Sequence, residues 1–380
     1  MIETRRRILI VTRNLPPLVG GMERLNWYMA KELASKSDVC VIGPCGAAAQ
    51  APPGVRVIEV PLKPLWCFLL GATLATFREI WRFRPQLMLA GSGLTAPIIF
   101  LLGRMVHAST AVYIHGLDIS VQHIVYRSLW LPAIRRMHKI ITNSSATAEL
   151  ARRAGIEVSR ISIVHPGVQL PESDYDRATT EAFRREKGFG DRTILLSVGR
   201  LSERKGIAEF VARALPSIIQ QRSDVLLLVA GDTPRNALNA RVQAPQDILA
   251  LAEQKGLSEH IRLLGAVSDR ELQLLFKISR VHVFPIRDIP GDPEGFGMVA
   301  VEAAAHGVPT IAFATGGVVD AVSEGVSGRL IQSGDYVGIA RAVLEVISGR
   351  KQDTFACLEF ARQFVWPRFG ERLTNELFGL

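Results

Sequence analysis

The chain has 380 residues, 48% of them hydrophobic and 21% charged, which excludes a largely disordered protein and exceeds what one ordinary core holds, so two domains are expected. Its 45 Lys and Arg outweigh 36 Asp and Glu, and the excess is concentrated in residues 1–176, with 20 basic and 12 acidic side chains against 25 and 24 in the remainder. Such a basic half suits an anionic partner, nucleic acid or an anionic membrane surface, unless it is simply a solvated basic face.

In chain order, residues 8–11 form a continuous apolar run of the kind that makes a buried parallel strand. The run ends in a loop containing Gly20 and Gly21, followed by a helical pattern over 24–35; paired glycines permit positive φ and close approach of backbone to a ligand. Strands follow at 39–42 and 55–60. Residues 65–71 are strongly apolar, and Arg78, Arg82 and Arg84 then alternate with Trp81 and Phe83. That composition suits a helix lying on an anionic bilayer, or a core-facing helix with a solvated basic face. A second apolar helix at 97–102, interrupted by Arg104, reads as core. Strands at 87–90 and 110–114 come next, the latter delivering His115, Gly116 and Asp118 at its C-terminal end, where α/β sheets place ligands. Asp118 also suits a helix cap. Strands at 140–144 and 163–168 close the first α/β set, and a linker with a charged connecting helix occupies 171–192.

The alternation then restarts. Strands are predicted at 193–198, 225–230, 261–264, 281–284, 310–313 and 328–331, with final helices at 335–348 and 355–378, the last kinked at Trp366-Pro367. The first of these strands ends in Gly199, Arg200, Lys205 and Gly206. The strand at 281–284 ends in a proline- and glycine-rich loop bearing Glu294, Gly295, Phe296, Gly297 and Met298, and runs into a helix carrying Glu302. With 295–302 helical, Glu302 lies about two turns in. The result is α/β: two doubly wound Rossmann-like domains facing each other across a cleft, with bounds 1–170, 171–192, 193–355 and a C-terminal helix 356–380 crossing back to the first domain. Four cysteines without metal spacing read as reduced core residues, the apolar run after Arg5–Arg7 is too short for a signal peptide, and no stretch approaches a membrane span. A cytoplasmic protein is expected.

Two cations after a strand, glycine amides and a helix N-terminus suit a diphosphate, and a carboxylate farther along the helix suits a ribose diol. No nucleophile–base pair accompanies them, so the pattern points to positioning and electrostatic stabilisation of a departing nucleoside diphosphate. A non-catalytic nucleotide-sugar-binding subunit is the alternative. A hydrolase using Glu294 and Glu302 as acid and base fits poorly beside a diphosphate site.

The order of Gly20-Gly21, His115 with Asp118, Gly199-Arg200 with Lys205-Gly206, Glu294 and Glu302 eight residues apart, His306-Gly307-Val308-Pro309 and Gly316-Gly317 resembles the retaining glycosyltransferases of family 4, which have the GT-B fold. That resemblance implies a hexosyltransferase that needs no metal or other cofactor. It assigns the donor diphosphate to Arg200 and Lys205, and the ribose to Glu302. It assigns the donor sugar and phosphate to Glu294 with Gly295, Phe296, Gly297 and Met298, and a sugar hydroxyl at the reacting centre to His115. Gly20 and Gly21 would approach phosphate or acceptor, with Asp118 on the acceptor side. The loop at 287–292 looks like that of the mannosyltransferase branch, which leans toward GDP-mannose, with a UDP-hexose as the second option. A lipid-linked or glycan acceptor, peripheral contact with an anionic inner membrane face rather than nucleic acid, and a place in cell-surface polysaccharide or glycolipid synthesis complete the expectation.

Overall fold

A computed structural model describes residues 5–121, 123–171, 175–233, 242–349 and 354–379. Part of the expected linker, at 172–174, and the segment 350–353 lie outside the described residues. The chain divides into two compact units, Met1–Gly167 with Trp366–Leu380, and Val168–Val365. Unit 1 carries 22 basic and 11 acidic residues, a net +11, and unit 2 carries 23 and 25, a net −2. The charge asymmetry is therefore sharper by structural unit than by sequence half.

Unit 1 contains strands β1 (Arg6–Val11), β2 (Ser37–Pro44), β3 (Val55–Val60), β4 (Leu87–Ala90), β5 (Ser109–Ile114), β6 (Lys139–Thr142) and β7 (Ile161–Ile163), all parallel in the order β3-β2-β1-β4-β5-β6-β7. Ile8–Val11 and Leu87–Ala90 are wholly buried, as continuous apolar strands covered on both faces must be. The strand expected at 163–168 ends at Ile163, because Pro166 has no N–H to continue the ladder.

Helix α1 (Gly21–Ala34) begins three residues earlier than its apolar pattern suggests. Helix α2 (Leu65–Arg82) buries Phe68, Ala72, Thr76 and Ile80. Its opposite face carries Trp66, Leu70, Leu74, Phe77 and Trp81, each 45–65% exposed, with exposed Arg78 and Arg82 beside them. Helix α3 (Ala96–Met105) runs through Arg104 instead of stopping at it, because arginine tolerates the helix and its guanidinium lies over the Phe100 ring at 5.8 Å. Nor is α3 wholly core: Leu101 and Met105 are exposed. No helix among the described residues is long and apolar enough to cross a membrane. Cys40 and Cys357 are buried as expected, but Cys45 is exposed.

Unit 2 contains β8 (Thr193–Val198), β9 (Val225–Ala230), β10 (Ile261–Gly265), β11 (Ser279–Phe284), β12 (Thr310–Phe313) and β13 (Gly328–Ile331), parallel in the order β10-β9-β8-β11-β12-β13. The chain builds outward from β8 in one direction and from β11 in the other, so the sheet reverses order between them. Ligands of doubly wound sheets bind at such a reversal, beyond the strand C-termini. The C-terminal segment forms two helices, Thr354–Arg362 and Trp366–Phe378, not one kinked helix, and Pro367 sits in the first turn of the second, where its missing N–H costs no hydrogen bond. That last helix packs within unit 1, stacking Trp366 on Tyr28 with ring centroids 4.1 Å apart.

Candidate active site

Because β8 and β11 are neighbours, the loops that leave their C-terminal ends meet. Arg287 N–H donates to the Arg204 carbonyl at 2.8 Å, and Arg204 Nη1 donates to the Pro293 carbonyl at 2.7 Å. Between them lies a nearly buried charge cluster. Lys205 Nζ donates to Glu294 Oε2 at 2.9 Å and stands over the Phe284 ring at 4.6 Å. Arg204 Nη1 lies 3.6 Å from the same carboxylate, and its Nε lies 3.7 Å from Asp292. Arg200, expected in this cluster, is exposed at its mouth.

Burial alone would raise the Glu294 carboxyl, but the charges of Arg204 and Lys205, the Lys205 hydrogen bond and the charge of Arg200 overcome it and hold Glu294 at about 2. Lys205 moves the other way from a well-balanced pair: burial lowers it, Glu294 opposes that, and Arg204 and Arg200 add to the lowering. The shared contribution is the cluster of cations, which lowers Glu294 and adds to the larger effect of burial on Lys205. Arg200, Arg204 and Lys205 outnumber Glu294 and Asp292, so Glu294 is held ionised and a surplus of positive charge remains at Lys205. The same field reaches buried His282 beneath the site, which burial and then the Lys205 charge push down to about 3.

The approach of the second loop to the helix depends on Gly316 and Gly317. Gly317 N–H donates to the Glu294 carbonyl at 2.9 Å, and a Cβ on Gly317 would lie 2.0 Å from the Gly295 carbonyl oxygen. These glycines are therefore a fixed support for the Glu294 loop. The helix that follows spans Met298–Ala305 and starts after Gly297, which takes φ 89° and has no side-chain cap. Its start corrects the expectation of a helix from 295: Gly295, Phe296 and Gly297 are loop, Glu294 is not on the helix, and Glu302 lies about one turn in, roughly 6 Å from the first residue. The left-handed turn at Gly297 is the physical reason, since it ends the loop only there. Phe296 is buried in the apolar cluster beneath.

In unit 1, His115 is buried at the end of β5. Its Nε2 donates to the Gly91 carbonyl at 3.1 Å, and its backbone N–H donates to Asp118 Oδ2 at 3.0 Å. Asp118 thus closes the turn as a structural acceptor. Gly20 has φ 161° and Gly21 is helical, so the pair does not use the left-handed conformation expected of it. What demands glycine at 20 is space, because a Cβ there would meet Glu23 Oε2 at 2.4 Å. The structure groups Lys205, Glu294 and the 295–298 loop in unit 2, with Arg200 close enough to act on their charges, and places His115, Asp118, Gly20 and Gly21 in unit 1. Sequence reasoning missed Arg204 and Asp292, although each lies within two residues of a residue it chose.

Comparison with known proteins matches both units of the chain. The family model "Glycosyltransferase Family 4" matches residues 19–171, and "Glycosyl transferases group 1" matches 179–359. A D-inositol 3-phosphate glycosyltransferase of Mycobacterium sp. (strain KMS) is 33% identical over 213 residues, 55% of this chain and 45% of that protein, so the match spans about half the length of that relative. A GDP-mannose-dependent alpha-(1-6)-phosphatidylinositol monomannoside mannosyltransferase of Mycolicibacterium smegmatis is 25% identical over 90% of this chain and 89% of its own. Among solved structures, Anabaena HepE with UDP and glucose superposes with a TM-score of 0.80 at 19% identity, covering 99% of this chain and 100% of its own. WaaG, from lipopolysaccharide biosynthesis, gives 0.70 at 17%, covering 98% and 100%. With GT-B architecture in both units and family matches across both, the chain belongs to the family 4 glycosyltransferases.

Proposed function

We propose that the protein is a retaining hexosyltransferase that takes a hexose from a nucleoside-diphosphate sugar. The observation that carries this reading is the surplus of positive charge around Glu294. Arg200, Arg204 and Lys205 face one carboxylate and the more distant Asp292, at a sheet reversal and beside an uncapped helix N-terminus. A diphosphate neutralises that surplus. In the transfer, the bond between the sugar's anomeric carbon and the diphosphate oxygen breaks and the acceptor hydroxyl bonds to that carbon. The hydroxyl proton leaves with the diphosphate. Arg200 and Lys205 stabilise the charge that develops on the leaving group. Glu294, with the amides of 296–298, positions the donor sugar and phosphate, Glu302 accepts from the ribose, and His115 meets a sugar hydroxyl.

The donor we favour is GDP-mannose, in line with the mannosyltransferase relative that matches most of the chain, ahead of a UDP-hexose. The acceptor is lipid-linked or a glycan, reached at an anionic membrane face. The exposed apolar stripe on α2 with Arg78 and Arg82 beside it, in a unit of net +11, supports that contact. A thermal-shift screen of GDP- and UDP-sugars tests the donor, since a bound ligand raises the melting temperature. No shift with any of them would refute the reading.

A further inference from the structure

Two charged side chains in the described residues are more than nine-tenths buried, Glu79 and Arg13. Glu79 is met by Arg56. Arg13 is 7% exposed, its Nε is buried without a hydrogen-bond partner, and among the described residues no hydrogen bond or ion pair reaches its guanidinium. Burying an unpaired charge is costly, so a protein that keeps one there has a use for an anion at that place.

The place is informative. Unit 1 builds outward from β1 through β2 to β3 in one direction and from β4 to β7 in the other, so its sheet reverses between β1 and β4. Arg13 lies two residues beyond β1, and the strand ends are tied across the reversal: Gly91 N–H donates to the Val11 carbonyl at 3.0 Å, and Gly91's own carbonyl accepts from His115. Two more buried, unpartnered polar atoms sit at the same edge, Ser92 Oγ after β4 and Asn143 Oδ1 after β6. The nearby carboxylates are already engaged, Glu23 by Asn14 Nδ2 at 2.8 Å and Asp118 by the His115 amide. An unpaired guanidinium and a free hydroxyl at the ends of neighbouring strands suit a phosphoryl group, whose oxygens take a cation and neutral donors together.

We infer that Arg13 binds a phosphoryl group carried by the acceptor. The assignment to the acceptor rests on the glycosyltransferase reading, in which unit 2 supplies the cations for the donor diphosphate. The test compares full-length wild type with Arg13→Gln and Arg13→Met by thermal shift and calorimetry, using sn-glycerol 3-phosphate, glycerol, inorganic phosphate, GDP and UDP as probes. Wild type is expected to be stabilised by glycerol 3-phosphate and not by glycerol. Both variants are expected to bind glycerol 3-phosphate at least tenfold more weakly and the favoured nucleotide unchanged. Inorganic phosphate equalling glycerol 3-phosphate would remove the acceptor from the assignment. A matching tenfold loss of nucleotide affinity would move Arg13 to the donor diphosphate and overturn the proposal, as would phosphate binding that survives either variant. Arg13→Met also reads the free protein. An unpaired buried charge predicts an equal or higher melting temperature, and a fall of several degrees would show that Arg13 is paired within the fold. Nucleotides that stabilise no version of the protein would refute the donor reading instead, and leave the phosphate result to stand by itself.

Discussion

Replacing Lys205 with alanine removes a 2.9 Å charge-assisted bond to Glu294, a cation over the Phe284 ring, and one of three cations that face the proposed diphosphate. Two effects follow. Glu294 keeps Arg204 at 3.6 Å and the field of Arg200, so its carboxyl rises from about 2 toward its ordinary value without becoming an isolated buried charge. The stability loss should therefore be smaller than the ~3–5 kcal/mol of a buried pair broken outright. For the nucleotide, a hydrogen bond to a charged group contributes about 1.5–3 kcal/mol, or roughly 10- to 150-fold in affinity. Loss of one preorganised charge at the leaving group lowers kcat by about 10²–10³-fold. Calorimetry with GDP and UDP, with the melting temperature as the check on folding, reads the binding effect. A folded Lys205→Ala protein that binds both nucleotides within threefold of wild type would refute the diphosphate assignment.

Glu302→Gln should weaken binding of the whole nucleotide by about 1–2 kcal/mol while leaving inorganic pyrophosphate unaffected, because only the ribose loses its acceptor; equal losses for both probes in calorimetry would contradict that role. Acid denaturation should report Glu294. A carboxyl held at about 2 instead of 4.5 contributes about 3 kcal/mol that is fully present above pH ~4.5 and disappears as the pH falls toward 2. Comparing wild type with Glu294→Gln by urea unfolding between pH 3 and 7 should show the variant with a shallower acid limb. Gly317→Ala, which drives a Cβ to 2.0 Å from the Gly295 carbonyl, should cost about 1–3 kcal/mol in thermal unfolding and shift the Glu294 loop. Serine at Trp66, Phe77 and Trp81 together should abolish sedimentation with anionic vesicles while leaving the melting temperature within a few degrees, since these side chains are exposed.

Most strands are readable because parallel strands covered on both faces are continuous apolar runs, as at Val225–Ala230 and Leu87–Ala90, whereas the short edge strand Ile161–Ile163 is not. The two glycine-rich loops after β8 and β11 were readable for the same reason, since each follows such a run. What the sequence hid was pairing at long range and the conformation of single residues. Lys205 and Glu294 are 89 positions apart, and nothing local says that the presumed sugar ligand is bonded to the presumed phosphate ligand in the free protein. Arg204 carries no local signal, because its partners, Pro293 and Asp292, belong to the other loop. The helix start at Met298 depended on one left-handed glycine, and the exposure of Leu101 and Met105 depended on what does not pack against α3.

On the proposed reading, the cation-rich edge of unit 2 serves transfer of a hexose from a nucleoside diphosphate. The most direct measurement incubates purified protein with GDP-mannose, and separately with UDP-glucose, with and without an anionic lipid extract, and follows both released nucleoside diphosphate and the fate of the labelled hexose. Nucleotide release that requires the extract is expected, with the hexose recovered in the lipid fraction in its original anomeric configuration. Release of free hexose at the same rate without any acceptor, or no release from either donor, would contradict it.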